Sequence, residues 1–289
     1  MRNIRVILLL IVSMVSSTIF AIEVNRSIVK IYNTANVYNY SNPWIAPRQG
    51  GGTGSGFIIA GNRIMTNAHV VANSAFIEIR KAGDSKRYVA EVEYIGHDCD
   101  LAILKPLDKK FFDNTTALKF GKMPKMLDKV RVFGFPVGGD KISITSGVVS
   151  RIEIQEYAHS GALLLAIQID AAINSGNSGG PAIVADKIIG VAFQGANSGQ
   201  NIGYIIPANV VQHFLTDIKS GKYIGFPSIG VAIQAMESSA LRELHGMSDV
   251  QSGILVTKVN PRSAVSKVLK KDDVIMTMSG ISIANDATV

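Results

Sequence analysis

One cysteine in 289 residues, Cys99, excludes any internal disulfide, so the fold must be held by its apolar core. Charged side chains are sparse at 18%, and the basic ones never gather into a stripe with aromatics. Lysines stand alone or in short pairs such as Lys109-Lys110 and Lys270-Lys271. The formal net charge of +7 therefore reads as solubility with weak surface adhesion, compatible with peripheral membrane proximity, and not as nucleic-acid binding. After residue 21 no apolar run is long enough to cross a membrane as a helix. The glycines of 50–56 match neither phosphate-loop spacing and read as a flexible connection into a strand. His97-Asp-Cys-Asp100 lacks a second cluster of ligands, so no metal and no other cofactor is expected; Asp98 reads as a loop residue and Cys99 as a small buried hydrophobe.

What is present begins with Arg2 and Arg5, ahead of an apolar stretch from Val6 to Phe20 that ends at Ala21. A basic start, about 15 apolar residues and a small terminal residue describe a cleavable signal over 1–21, with an uncleaved anchor as the alternative. Export, most simply to a periplasm, is the expectation.

From Ser27 to Pro207 short β-type runs alternate with Gly, Pro, Asn and Asp. Among them are Phe76–Ile79, Lys129–Phe133 and Ile188–Phe193. Such spacing predicts an all-β barrel or sandwich, divided into halves by the irregular stretch from Pro106 to Lys125. Ala208–Lys219 carries apolar residues at helical spacing, and a Gly- and Pro-punctuated hinge follows it.

The densest chemistry lies in Ile173-Asn-Ser-Gly-Asn-Ser-Gly-Gly-Pro181. Alone, this stretch is either a tight turn or the seat of a reactive serine. A serine hydroxyl is a poor nucleophile without a histidine to accept its proton and a carboxylate to orient that histidine. Both partners are available: His69 in Thr66-Asn-Ala-His-Val-Val71, and Asp100 ahead of the apolar Leu101–Leu104.

These three stretches, in this order, resemble the chymotrypsin-like fold and, more closely, the HtrA (Deg/DegP-like) family of serine proteases. The family motifs T-N-x-H-V-V, D-L-A-hydrophobic and G-N-S-G-G align with His69, Asp100 and Ser178. The resemblance covers roughly 25–289 and implies a double β-barrel protease of residues 22–222. Ser178 would attack, His69 shuttle the proton and Asp100 hold its tautomer. Gly176 and Gly179 allow a tight turn, which makes the amides of Gly176 and Ser178 the oxyanion-hole donors. Ser175 is assigned only a loop role. By the same resemblance Ile173 lines a pocket for small aliphatic residues, and Phe193, Gln194 and Gly195 form the edge that pairs with substrate backbone. His159, His213 and His245 have no motif context and are read as surface or structural.

Residues 223–289 resemble a partial α+β PDZ domain, with Ile229, Gly230 and Val231 as its carboxylate-binding loop. The family pattern calls for a groove helix and a last strand after Asn285. The expected activity is ATP-independent endoproteolysis of unfolded or damaged proteins, in quality control and stress response, by a homotrimer or higher oligomer. The alternative is a non-proteolytic holdase using the same cleft.

Overall fold

A computed structural model describes residues 24–136, 139–195 and 201–288. The expected signal segment lies outside the described residues. The chain folds as two compact units, one running to Gly225 and the other from Phe226.

The first unit contains two closed antiparallel barrels. The first barrel comprises β1 (Ile28–Val37), β2 (Arg48–Ile59), β3 (Arg63–Thr66), β4 (Ser74–Lys81), β5 (Arg87–Gly96) and β6 (Leu101–Pro106), in the order β1-β2-β3-β6-β5-β4. A short helix, α1 (Ala68–Val71), follows β3 directly. The second barrel comprises β7 (Lys129–Gly134), β8 (Ser143–Glu156), β9 (Leu163–Ile169), β10 (Pro181–Val184), β11 (Lys187–Gly195) and β12 (Gly203–Pro207), in the order β10-β11-β12-β9-β8-β7. Alternate residues of each strand point inward and fill the barrel. The first core gathers Val29, Ile31, Ile58, Ile64, Ile79 and Leu104; the second gathers Val130, Val132, Ile167, Ile169, Ala192 and Ile205.

Helix α2 (Ala208–Asp217) follows Pro207, which takes an extended conformation as its N-cap, and buries Val210, Val211 and Phe214. The irregular stretch between the barrels contains one turn of 3₁₀ helix, Lys109–Phe112, which inserts Phe111 into the first core edge-on to Tyr88.

One expectation is corrected. The glycines of 50–56 are not a flexible connection; they lie inside β2, paired in register with β1 from Val37↔Arg48 to Ile28↔Phe57. Only 38–47 is loop, and it presents Tyr40 and Trp44 to solvent. At two of these positions packing leaves no room for a Cβ. A side chain on Gly54 would collide with Val70, and one on Gly56 would meet Ile31, Ile64 and the Met65 carbonyl.

A buried lysine helps join the barrels. Lys30 is only 7% exposed, and its ammonium donates to the Gly139 carbonyl and to Asp140 Oδ1 at 2.7 and 2.8 Å. Arg80 reaches the same carboxylate at 3.1 Å. The hydrogen bond from Lys30, then the two cations' charge, holds the Asp140 carboxyl below its ordinary range.

The second unit has a three-stranded sheet, β13 (Val231–Ala235), β14 (Ile254–Val259) and β15 (Val274–Ile275), in the order β13-β14-β15. A two-stranded hairpin follows, β16 (Thr277–Met278) with β17 (Ile281–Ser282). Helix α3 (Ser239–Leu244) is capped by the Ser238 hydroxyl, which accepts from Leu241 N–H. A 3₁₀ turn, Ala264–Lys267, follows β14. The buried apolar residues are few: Met236, Ile254, Leu255, Val256 and Ile283.

Candidate active site

His69 occupies the second position of α1, where the chain leaves β3. Asp100 ends the turn between β5 and β6, in the left-handed region at φ +52°. That turn aims its carboxylate at the histidine from two directions. Asp100 Oδ1 accepts the His69 backbone N–H at 2.8 Å, and Oδ2 lies 2.7 Å from His69 Nδ1. Asp100 is 1% exposed, while the His69 side chain is about one-third exposed. The carboxylate is thus dry and fixed, and the imidazole faces the cleft with its other nitrogen.

The neighbouring motif residues have jobs of their own. Asn67 is buried, and its amide donates to the Asp100 carbonyl at 2.9 Å. The Thr66 hydroxyl donates to the Ser55 carbonyl at 2.7 Å, pinning β3 to β2 below the histidine. The motif therefore encodes the backbone support of the histidine–aspartate pair as well as the histidine.

Ser178 sits on the loop between β9 and β10. Gly179 lets this loop pack against the first barrel, and Gly180 lets it pack against β7 of the second. Gly176 and Gly179 have φ of +98° and +85°. A Cβ on Gly179 would run into the Ser55 carbonyl and the Thr66 hydroxyl, and one on Gly180 into the Phe133 carbonyl. Ser178 lines one cleft, of about 350 Å³, together with His69, Ser175 and Gly176. Its hydroxyl donates to the Phe193 carbonyl at 3.2 Å, and among the described residues no hydrogen bond joins it to His69. Rotation about χ1 is the small motion that would redirect it.

The Gly176 and Ser178 amides donate to no acceptor among the described residues, whereas Asn177, Gly179 and Gly180 are all engaged, to Asn174, Ala192 and Asn177 carbonyls. Buried or half-buried N–H groups left unspent side by side are what an anionic oxygen needs.

Sequence reasoning missed what holds this loop in place. Ser55 is fully buried at the end of the glycine run in β2. Its hydroxyl donates to the Gly176 carbonyl at 2.6 Å and accepts from Phe135 N–H at 2.8 Å. Its own N–H donates to the Ser178 carbonyl at 2.8 Å. One residue of the first barrel thus clamps both Gly176 and Ser178, which line the cleft. The available signal was a polar residue among glycines at the entry to an apolar strand.

His159 was also missed. It lies on the β8–β9 connection, far from the motifs in sequence, yet its ring centroid is 6.1 Å from that of His69. Its Nε2 is 2.8 Å from His97 Nδ1. Burial, ahead of the charges of His69 and His97, lowers its pKa, with Asp100 opposing. His69, Asp100, Ala158, His159, Phe193 and Gln194 line a second pocket beside the cleft.

Of the residues expected at the substrate edge, Phe193 is buried and packs tilted against Tyr157, with ring centroids 4.6 Å apart. It sits at the irregularity where the β11–β12 register shifts between Ala192 and Gln194. The Gln194 side chain is engaged with Ala158 N–H and the Glu156 carbonyl. Ile173 packs its side chain where a Cβ on Gly203 would sit, and its carbonyl lies beside Gly195. In the second unit Ile229 is half-exposed, Gly230 has φ +78°, and Val231 opens β13. The Gly230 N–H donates to the Ser228 hydroxyl at 3.1 Å.

Cys99 is fully buried, as expected, and burial pushes its thiol up to about 12. Among the described residues no cluster of three or more metal-binding side chains is present.

Residues 54–191 match the trypsin-like peptidase domain model. The putative mitochondrial protease Do-like 3 of Arabidopsis thaliana is 48% identical over 91% of this chain, which spans 47% of that relative's length. The putative Do-like 15 protein of the same plant is 38% identical over 58% of this chain and 74% of its own length. An HtrA-type protease, AlgW with a tripeptide, superposes with a TM-score of 0.73 over 92% of this chain and 84% of that one, at 24% identity, and so shares the fold. A double β-barrel, a histidine–aspartate pair and a glycine-framed serine at one cleft, and these likenesses agree: the chain belongs to the Do-like protease family, with a trypsin-like peptidase domain over residues 54–191.

Proposed function

We propose that this chain is an ATP-independent serine endopeptidase that cleaves unfolded or damaged proteins. The observation that carries the proposal is His69 held doubly by Asp100 in the cleft that Ser178 and Gly176 also line. In the reaction the Ser178 hydroxyl turns from Phe193 to His69 Nε2 and gives up its proton as Oγ bonds to the peptide carbonyl carbon. The carbonyl electron pair moves onto oxygen, which the Gly176 and Ser178 amides receive. Collapse of that intermediate expels the amine, which takes the proton back from His69 Nε2. Water then repeats the sequence on the acyl-enzyme and frees Ser178. Asp100 holds the imidazole with Nδ1 protonated throughout.

Cleavage after small aliphatic residues is supported by Ile173, whose side chain packs against Gly203 and whose carbonyl lies beside Gly195. Export, assembly into a trimer and capture of chain termini through Ile229, Gly230 and Val231 complete the proposal; each rests on the sequence resemblance. The deciding assay is β-casein cleavage by the full chain beside Ser178→Ala, with mass spectrometry of the cut sites. Cuts after Val or Ala that vanish in the variant are the expected result. Two folded but inactive proteins that still suppress casein aggregation would overturn it in favour of a holdase.

A further inference from the structure

The turn that presents Asp100 is weak by itself. Its closing bond, Asp100 N–H to the His97 carbonyl, is long at 3.3 Å, and Asp100 adopts a positive φ that non-glycine residues occupy at a cost. The support comes from elsewhere. Asp98, at the centre of the turn, accepts at Oδ1 the hydroxyl of Tyr223 at 2.6 Å and the Cys99 N–H at 2.9 Å. The Asp98 carbonyl accepts the Ser160 hydroxyl at 2.9 Å from the β8–β9 connection. The Tyr223 oxygen also lies 3.2 Å from Cys99 Sγ.

Tyr223 is itself firmly placed. Its ring meets Phe214 of α2 at 5.1 Å and lies over Gly96, where any Cβ would collide with it. The two residues after it are bound to the same helix: Ile224 and Gly225 N–H groups donate to Asp217 Oδ2 at 3.2 and 3.0 Å. Gly225 passes close to Asp98 Oδ2 at φ +94°. Burial, followed by the hydrogen bond to Asp98, raises the tyrosine pKa, so the hydroxyl keeps its proton and remains a donor.

We infer that Tyr223 is a positioning residue for the catalytic aspartate, fixing through Asp98 the turn that holds Asp100 against His69. The last residues of the first unit are thus part of the site's support and more than a tether. Only the hydroxyl matters to this inference, since the ring's packing on Phe214 and Gly96 needs no polar atom. The inference rests on the proteolytic reading, in which Asp100 orients the base.

The test is Tyr223→Phe in the full chain, which keeps the ring. Two quantities are read: kcat and KM on a peptide ending in Val at the cut, and the low-field proton NMR signal of the His69 Nδ1–H···Asp100 bond in the folded protein. The expected result is a kcat lower by about ten-fold at unchanged KM, with the low-field signal shifted or broadened, because a misplacement well under 1 Å has consequences of this order. Tyr223→Phe added to Asp98→Ala should then produce no further loss. An unmoved NMR signal overturns the inference whatever happens to kcat, and so does a change confined to KM. Should the wild type cut nothing, the proteolytic reading fails while the NMR comparison still decides whether Tyr223 orders the pair.

Discussion

Ser55 shows how much of a candidate active site can hang on a fully buried residue. Its hydroxyl serves two buried backbone groups, Gly176 carbonyl and Phe135 N–H, and nothing else nearby replaces it. Ser55→Ala orphans both, at about 1–3 kcal/mol for each buried group left unsatisfied. The expected outcome is a lower urea midpoint with unchanged slope, and a kcat reduced by at least about ten-fold as the Gly176 amide loses its aim. Ser178→Ala, by contrast, removes a half-buried hydroxyl with one long bond, to the Phe193 carbonyl at 3.2 Å, and should unfold close to wild type. If Ser55→Ala unfolds like wild type and cuts at full rate, the clamp has no energetic content.

At the scale of elements, the β8–β9 connection matters more than its sequence suggests. It carries His159 onto the rings of His69 and His97 and Ser160 onto the Asp98 carbonyl. Its histidine has a depressed pKa in the folded protein, so the unfolded chain binds the proton more tightly. The sign follows: His159 contributes stability above its ordinary value of 6.5, and that contribution is lost as pH falls through the folded value. Asp140, also depressed, adds a loss of the same sign, but only in the acid range near and below 3.8. Urea midpoints taken from pH 8 to pH 5 should therefore fall, and His159→Gln should flatten that fall. An equally steep decline in the variant would place the acid sensitivity elsewhere. The same element explains a miss in the sequence reading: nothing local distinguishes His159 from His213 or His245, because only barrel closure brings it across to His69.

Taken whole, the first unit ends at Gly225, and Tyr223 is bound within it. A chain beginning at Ile22 and ending at Gly225 should unfold in one cooperative step and keep its peptidase activity. Ending it instead at Lys222 removes Tyr223 and the two amides bound to Asp217. That shorter chain should melt lower and turn over more slowly, as followed by circular dichroism and peptide hydrolysis. Equal melting and equal turnover of the two would show that residues 223–225 are only a connector.

The fold class, the two halves and the motifs around His69, Asp100 and Ser178 were legible along the chain, because each rests on local rules. Short alternating strands between turn residues mark barrels, and the glycines around Ser178 are required by a backbone that must turn sharply against its neighbours. Asn67 and Thr66 were visible as motif letters, though not as supports. Tertiary structure alone decided that the glycines of 50–56 are strand, that Ser55 and Tyr223 hold the two sides of the site, and that His159 lies beside His69. The physical reason is that a hydrogen bond between residues 121 or 125 positions apart leaves no local pattern. Its partners are chosen by how two closed barrels meet, and that is a property of the packed cores.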